Sequence, residues 1–180
     1  MPRPSITTIP RYEFVSVTGE HIPVPDEHRL VHLQFRRFAG CPICNLHLRS
    51  FAARHDEISA AGIREVAFFH SPADELRTHT SDLPFATIAD PNRRYYKEFG
   101  VESTPRALLD PRAWPTIVRG VAATATGRFR APAARPHGGR LGLPADFLID
   151  AGGTVVAAKY GEHADDQWSV DELLELVRRV

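Results

Sequence analysis

Cysteine is scarce, with two in 180 residues, too few for the disulfide framework that stabilises small secreted domains. A surplus of charge is missing as well. The 22 basic residues balance the 22 acidic ones, so the chain as a whole offers no electrostatic footprint for nucleic acid or an anionic membrane. No stretch approaches the ~18 consecutive apolar residues of a spanning helix. The N-terminus, Met1-Pro2-Arg3-Pro4-Ser5-Ile6, lacks the charged-then-apolar order of a secretory signal. A reducing, cytoplasmic compartment is therefore expected. Lysine is nearly absent: Lys97 and Lys159 are the only two, and the arginine bias carries no functional weight. What remains is 43% hydrophobic and 24% charged, an ordinary globular composition long enough for one domain with a real core. The two cysteines are also not scattered. They form Cys41-Pro42-Ile43-Cys44.

Hydrophobic spacing places this motif. Residues 1–13 read as an extended arm broken by Pro2, Pro4 and Pro10, and residues 14–180 as a single domain. Phe14–Val17 and Ile22–Val24 flank Gly19-Glu20 as a hairpin. In Leu30–Arg36, Val31, Leu33 and Phe35 alternate with His32, Gln34 and Arg36, the period of a strand with unequal faces. Pro42 suits the first turn of a helix, and Leu48, Phe51, Ala52, His55 and Ile58 predict that this helix runs to Gly62. Ile63–His70 and Phe85–Ala89 read as further strands, Ser71-Pro72 as the start of a helix through about Thr80, and Asp90-Pro91 as the cap of a helix ending at Gly100. Residues 102–141, interrupted by five prolines, read as an irregular insertion with one or two short helices around Arg106–Trp114. Ala145–Ile149 and Thr154–Tyr160 predict a terminal hairpin, and Ser169 with Glu172 a capping box for a last helix. Alternating strands and helices followed by a hairpin indicate an α/β sandwich with a mixed sheet.

A strand running into CxxC at a helix start has a chemical logic. The unpaired N–H groups and positive end of the helix favour thiolate over thiol. Cys41, at the start, is the expected nucleophile, and Cys44, a turn deeper, the resolving thiol that closes a Cys41–Cys44 disulfide. Three other readings compete: two plain core cysteines, a zinc site recruiting Cys41, Cys44 and His47, and haem attachment, which fails because Asn45 stands where a histidine is needed.

From about Phe14 to Leu176 the chain resembles the thioredoxin-fold redoxins, in particular the peroxiredoxin-like branch of the AhpC/TSA family. The stretches Phe35-Arg36-Arg37-Phe38-Ala39-Gly40-Cys41-Pro42-Ile43-Cys44, Ala89-Asp90-Pro91-Asn92 with Tyr96-Lys97-Glu98-Phe99-Gly100-Val101, and Leu143–Asp150 with Gly152-Gly153-Thr154-Val155 carry the likeness. The resemblance implies a thioredoxin-like three-layer sandwich, its mixed central sheet flanked by helices, and thiol–disulfide exchange through Cys41 and Cys44. It also implies an external dithiol reductant, a protein disulfide or hydroperoxide as substrate, and no bound cofactor. Phe38 and Gln34 stand where peroxiredoxins carry threonine and proline, and Pro144 where they carry an arginine. That weakens the alternative of a thiol peroxidase with Cys41 peroxidatic. In thioredoxin-like oxidoreductases the same position is a cis-proline facing the CxxC, so Leu143 and Pro144 are the expected substrate platform. Arg36, Arg37, Arg106 and Arg140 are candidates for a cation near the thiolate, and Phe38 for its shield. Asp146 and Glu65 are candidate proton acceptors for Cys44, while His32, His47, His55 and His70 are candidate bases. A redox-inert redoxin fold acting as a binding module is the remaining alternative.

Overall fold

The computed structural model describes residues 6–101 and 103–180, apart from the side chain of Arg106. Pro2 and Pro4 of the expected arm lie outside the described residues. Strands β1 (Tyr12–Val15) and β2 (His21–Val24) form the expected antiparallel hairpin. The main sheet contains β3 (Leu30–Phe35), β4 (Ile63–Phe69), β5 (Ala86–Ala89), β6 (Ala145–Ile149) and β7 (Val155–Tyr160), in the order β5-β4-β3-β6-β7. β3, β4 and β5 run parallel, while β6 and β7 add antiparallel on the other side. The mixed sheet read from the sequence is thus the sheet present.

The alternation along β3 sorts side chains between two interiors. Val31, Leu33 and Phe35 pack with Phe14, Phe68 and Phe147 on one face. His32 and Gln34 point to the other, which is equally buried, beneath α1 (Pro42–Ala53) and α7 (Val170–Val177). The predicted single helix after Cys41 is two: α1 ends at Arg54 (φ −116°, ψ 21°), and α2 (His55–Ala60) follows. Arg54 sits at the break, where its guanidinium binds Glu57 and Asp171. The apolar spacing continues across the break because both segments face the same core, so periodicity alone does not reveal it.

Helices α3 (Ala73–Thr80) and α4 (Arg94–Glu98) complete the alternation. Asp90 caps α4 as expected, accepting from the N–H groups of Arg94 and Tyr95 at 3.0 and 2.9 Å. The capping box of α7 is present in full, with Ser169 Oγ accepting from Glu172 N and Glu172 from Ser169 N. Ser169→Ala is expected to lower stability by about 1 kcal/mol, measured as a lower urea midpoint with unchanged slope.

The insertion departs most from expectation. It holds α5 (Arg106–Leu109), a 3-10 turn (Pro111–Ala113) and a 12-residue helix, α6 (Trp114–Ala125). Pro115 falls in the first turn of α6, where its missing N–H is tolerated, and Val121–Ala125 is free of helix breakers. α6 packs directly on α1. Gly120 makes this possible, since a Cβ there would come within 2.8 Å of Pro42 Cβ. Among the described residues no helix is long and apolar enough to cross a membrane.

Candidate functional site

β3 delivers the chain to the site. After Phe35 come Arg36, Arg37 and Phe38, then Gly40, whose positive φ of 74° makes the turn into Cys41. A Cβ at Gly40 would also strike the His79 ring at 2.5 Å, so the turn requires glycine twice over. Cys41 is the N-cap of α1, with Pro42 in the first turn and no acidic residue there to oppose a negative charge. Both thiols are free and buried.

Three donors converge on Cys41 Sγ. The Cys44 thiol lies 2.8 Å away, the Cys44 backbone N–H 3.4 Å and Arg37 Nη2 3.0 Å. Burial pushes the Cys41 thiol up. The Cys44 hydrogen bond, the Arg37 charge and the Cys44 N–H together outweigh it and bring the pKa down to about 6. Burial and the neighbouring Cys41 thiolate push Cys44 well above its ordinary value. The pair is therefore asymmetric: a thiolate at the helix start and a protonated thiol within hydrogen-bonding distance of it.

Of the three candidate arginines whose side chains are described, Arg37 alone touches the sulfur. Arg36 turns to Asp146 and Gln34 at 2.7 and 2.8 Å. Arg140 lies over the Phe38 ring at 5.4 Å, as Arg37 does from its own side. The side chain of Arg106 lies outside the described residues. Phe38 is buried in the same apolar cluster as Cys41, Cys44 and Ile43, where it keeps water from the thiolate.

A strap, residues 137–141, is tied down beside the site. Arg37 Nη1 donates to Arg140 O at 2.8 Å, His70 Nδ1 to His137 O at 2.9 Å, Arg93 to Gly138 O and Thr104 N to Leu141 O at 2.8 Å. Cys41 itself, packed in the apolar cluster of Phe38, Ile43 and Leu48, has 0% of its surface exposed. Beside it a groove of about 150 Å³ is lined by Arg37, Phe38, Pro42, Ile43, Leu108, Ile117, Val121 and Arg140. The sequence marks the cysteines, Arg37 and Phe38. The strap escapes it, because those contacts use backbone carbonyls of a proline- and glycine-rich segment that any residue type supplies.

Several sequence candidates lie elsewhere. Asp146 and Glu65 are not paired with Cys44. They flank His32, at 3.0 Å from Nε2 and 3.2 Å from Nδ1, and Glu65 also accepts from Gln34. His47 faces Arg36 at 3.1 Å, which takes it into this polar network and away from a CxxCxxH metal set. Among the described residues no three such groups are placed to hold a metal ion. Burial, then the charge of Arg93, hold His70 down to about 4, so it stays neutral at pH 7. His55 leans on Phe85. Leu143 and Pro144 are buried at the entrance to β6, but their peptide bond is trans; the one cis bond among the described residues is Val24–Pro25. Pro144 instead seats against Gly161, whose N–H donates to Pro144 O at 2.9 Å. An X-Pro bond prefers trans by only about 0.5–1 kcal/mol, so packing of this kind decides the isomer.

The sheet order, the helix-start dithiol and the flanking helices define a thioredoxin-like redoxin. Solved structures agree on the fold. Peroxidoxin BcpB from Mycobacterium tuberculosis superposes with a TM-score of 0.68 at 16% identity, covering 97% of this chain and 98% of that one. A putative thiol:disulfide interchange protein DsbE from Chlorobium tepidum gives 0.61 at 16% identity, covering 98% and 99%. Peroxiredoxin Q from Xanthomonas campestris gives 0.63 at 13%, covering 99% and 96%. No protein of curated function matches the sequence. The sequence profile described as AhpC/TSA antioxidant enzyme matches residues 50–163, more than half of the chain, and the protein belongs to that family. The match begins after Cys44 and does not cover the two cysteines.

Proposed function

We propose that the protein is a dithiol peroxidase that reduces small hydroperoxides, with Cys41 attacking and Cys44 resolving. The single observation that carries this reading is a fully buried Cys41 thiolate held 3.0 Å from the Arg37 guanidinium and 2.8 Å from the Cys44 thiol. Burial selects a substrate small enough to reach the sulfur. The cation supplies what the absent threonine and the Pro144-position arginine would otherwise supply. Cys41 S⁻ attacks the terminal peroxide oxygen, the S–O bond forms and the O–O bond breaks. The departing alkoxide or hydroxide, stabilised by Arg37, takes a proton from solvent. Cys44, losing its proton, then attacks the Cys41 sulfenic acid. The S–S bond forms and the hydroxyl leaves as water. An external dithiol returns two electrons.

The CxxC at a helix start favours a second reading, thiol–disulfide exchange. In it the groove beside Pro42 and Ile43 receives the substrate chain near Leu143 and Pro144. The trans bond at Pro144 and the buried sulfur place it second. Stopped-flow mixing with hydrogen peroxide and an alkyl hydroperoxide, followed by intact mass, separates the two. Wild type is expected to consume peroxide quickly and lose two hydrogens, Cys44→Ser to gain one oxygen, and Cys41→Ser to do neither. Thiols inert to peroxide but fast with a protein mixed disulfide would reverse the order. Thiols inert to both, alkylating like free cysteine, would leave a redox-inert binding module.

A further inference from the structure

The neutral chain is unevenly charged. Residues 102–141 hold seven arginines against Glu102 and Asp110, a net +5, so the remainder carries −5. Arg112 binds Asp110 and Glu162. Arg119, Arg128, Arg130 and Arg140 are exposed and, among the described residues, form no ion pair with a carboxylate. The same segment also holds most of the large apolar side chains left in water. Trp114 (56% exposed), Val118 (66%) and Val121 (53%) lie on one face of α6 at helical spacing, with Leu109 (69%) just before them. Isolated exposed apolar residues need no explanation, but a contiguous stripe with Arg119 on the same helix and Arg140 in the adjoining groove marks an interaction surface. The stripe is continuous with the redox centre. Val121 lines the groove together with Pro42, Ile43 and Arg37, and Gly120 rests on Pro42.

From this arrangement we infer that the exposed face of α6 is the docking surface for an acidic dithiol protein that reduces the Cys41–Cys44 disulfide. The inference rests on the dithiol cycle proposed above and adds where its electron donor binds. Charge complementarity selects the occupant. A second copy related by a two-fold axis would set one cationic rim against another, whereas an acidic protein with an apolar contact patch fits both features. Cys41 is buried in the reduced chain, so donor docking requires the oxidised chain to open over Cys41 Sγ. The donor thiolate then attacks it, forming a mixed disulfide as the Cys41–Cys44 bond breaks and Cys44 leaves and takes up a proton. The donor's second thiolate then attacks its own bridged sulfur, closing the donor disulfide and releasing the Cys41 thiolate.

The test uses the oxidised full chain and, as probe, a reduced thioredoxin of acidic isoelectric point, with dithiothreitol as a donor that needs no docking. The second-order rate with thioredoxin is expected to fall at least ~10-fold between low and high salt. It should fall by a similar factor in the double variant Val118→Asp/Arg119→Glu. The rate with dithiothreitol and the first-turnover peroxide burst should stay unchanged in that variant. A thioredoxin rate indifferent to salt and to the variant, or no reduction by thioredoxin while dithiothreitol reduces readily, overturns the docking surface. So does a dimer in sedimentation, or co-sedimentation with anionic phosphatidylserine vesicles, that the double variant abolishes. Failure to form any Cys41–Cys44 disulfide overturns the proposed cycle itself, and is read before any donor is added. The salt dependence of wild type needs no variant and stands even if the double variant folds poorly.

Discussion

Arg37→Met is expected to move the alkylation inflection of Cys41 upward by more than one pH unit from about 6. The shift should stop short of the free-cysteine value near 8.5, because the Cys44 thiol and the Cys44 N–H still face the sulfur. The rate of simple alkylation at pH 7 falls only a few-fold, roughly, because a more basic thiolate is also a better nucleophile. Peroxide reduction should fall much further, by about 10²–10³, since the leaving oxygen loses its cation as well. Equal losses in both assays would mean that Arg37 acts on the thiolate alone. Arg37→Lys keeps the charge without the fork that reaches Cys41 Sγ and Arg140 O together, so it should recover the inflection better than the peroxide rate. The linkage has a definite sign. The folded-state pKa of Cys41 is depressed, so its stabilisation is complete above the unfolded value and is lost as pH falls through about 6. In Arg37→Met that loss shrinks, which a urea titration at pH 5.5 and 8.5 would register.

The reach of sequence reasoning follows from the kind of information each feature uses. The CxxC, the hairpins, the five strands of the main sheet and the Ser169 capping box are written in local patterns, and the structure contains them all. Arg37 stood among four candidate arginines because neighbours in a strand diverge. Arg36 and Arg37 leave the end of β3 toward opposite partners, Asp146 and Cys41. Which of them meets the sulfur depends on the turn at Gly40. The polar alternates of β3 show the reverse problem. His32, Gln34 and Arg36 carry the polar signature of a wet face yet are wholly buried, because their partners Glu65 and Asp146 come from β4 and β6, at 33 and 114 residues' separation from His32. α6 was hidden by the prolines around it, of which only Pro115 lies within it, in a position that does not break a helix.

That buried network sets the second large effect. Asp146 accepts from Arg36 and His32, and its second oxygen faces Trp168 N at 3.3 Å. With both ring nitrogens of His32 facing carboxylate oxygens, the protonated imidazolium satisfies both contacts, and Arg36 and His32 then balance Asp146 and Glu65. Burial opposes the charge on each. For Asp146 the Arg36 charge and the His32 hydrogen bond outweigh it and hold the carboxyl well below its ordinary value. For His32 the two carboxylates outweigh it and raise the imidazole. Asp146→Ala takes the carboxylate from Arg36 and leaves Glu65 alone to face His32, one buried cation in excess, so a loss of about 3–5 kcal/mol is expected, read as a lower urea midpoint. Asp146→Leu together with His32→Leu, Arg36→Met and Glu65→Gln should lose less than the single change, because removing all four charged partners strands no charge. The two shifts also predict a pH window. The Asp146 contribution is complete above about pH 4 and is lost as pH falls through its depressed folded value. The His32 contribution is complete below about pH 6.5 and is lost as pH rises through its raised one. Wild-type stability from this network is therefore greatest between those limits, and the difference between wild type and Asp146→Ala should narrow on either side. A difference that narrows below about pH 4 but stays flat from about pH 6 to 9 would mean that His32 is neutral and that Asp146 is held by Arg36 alone.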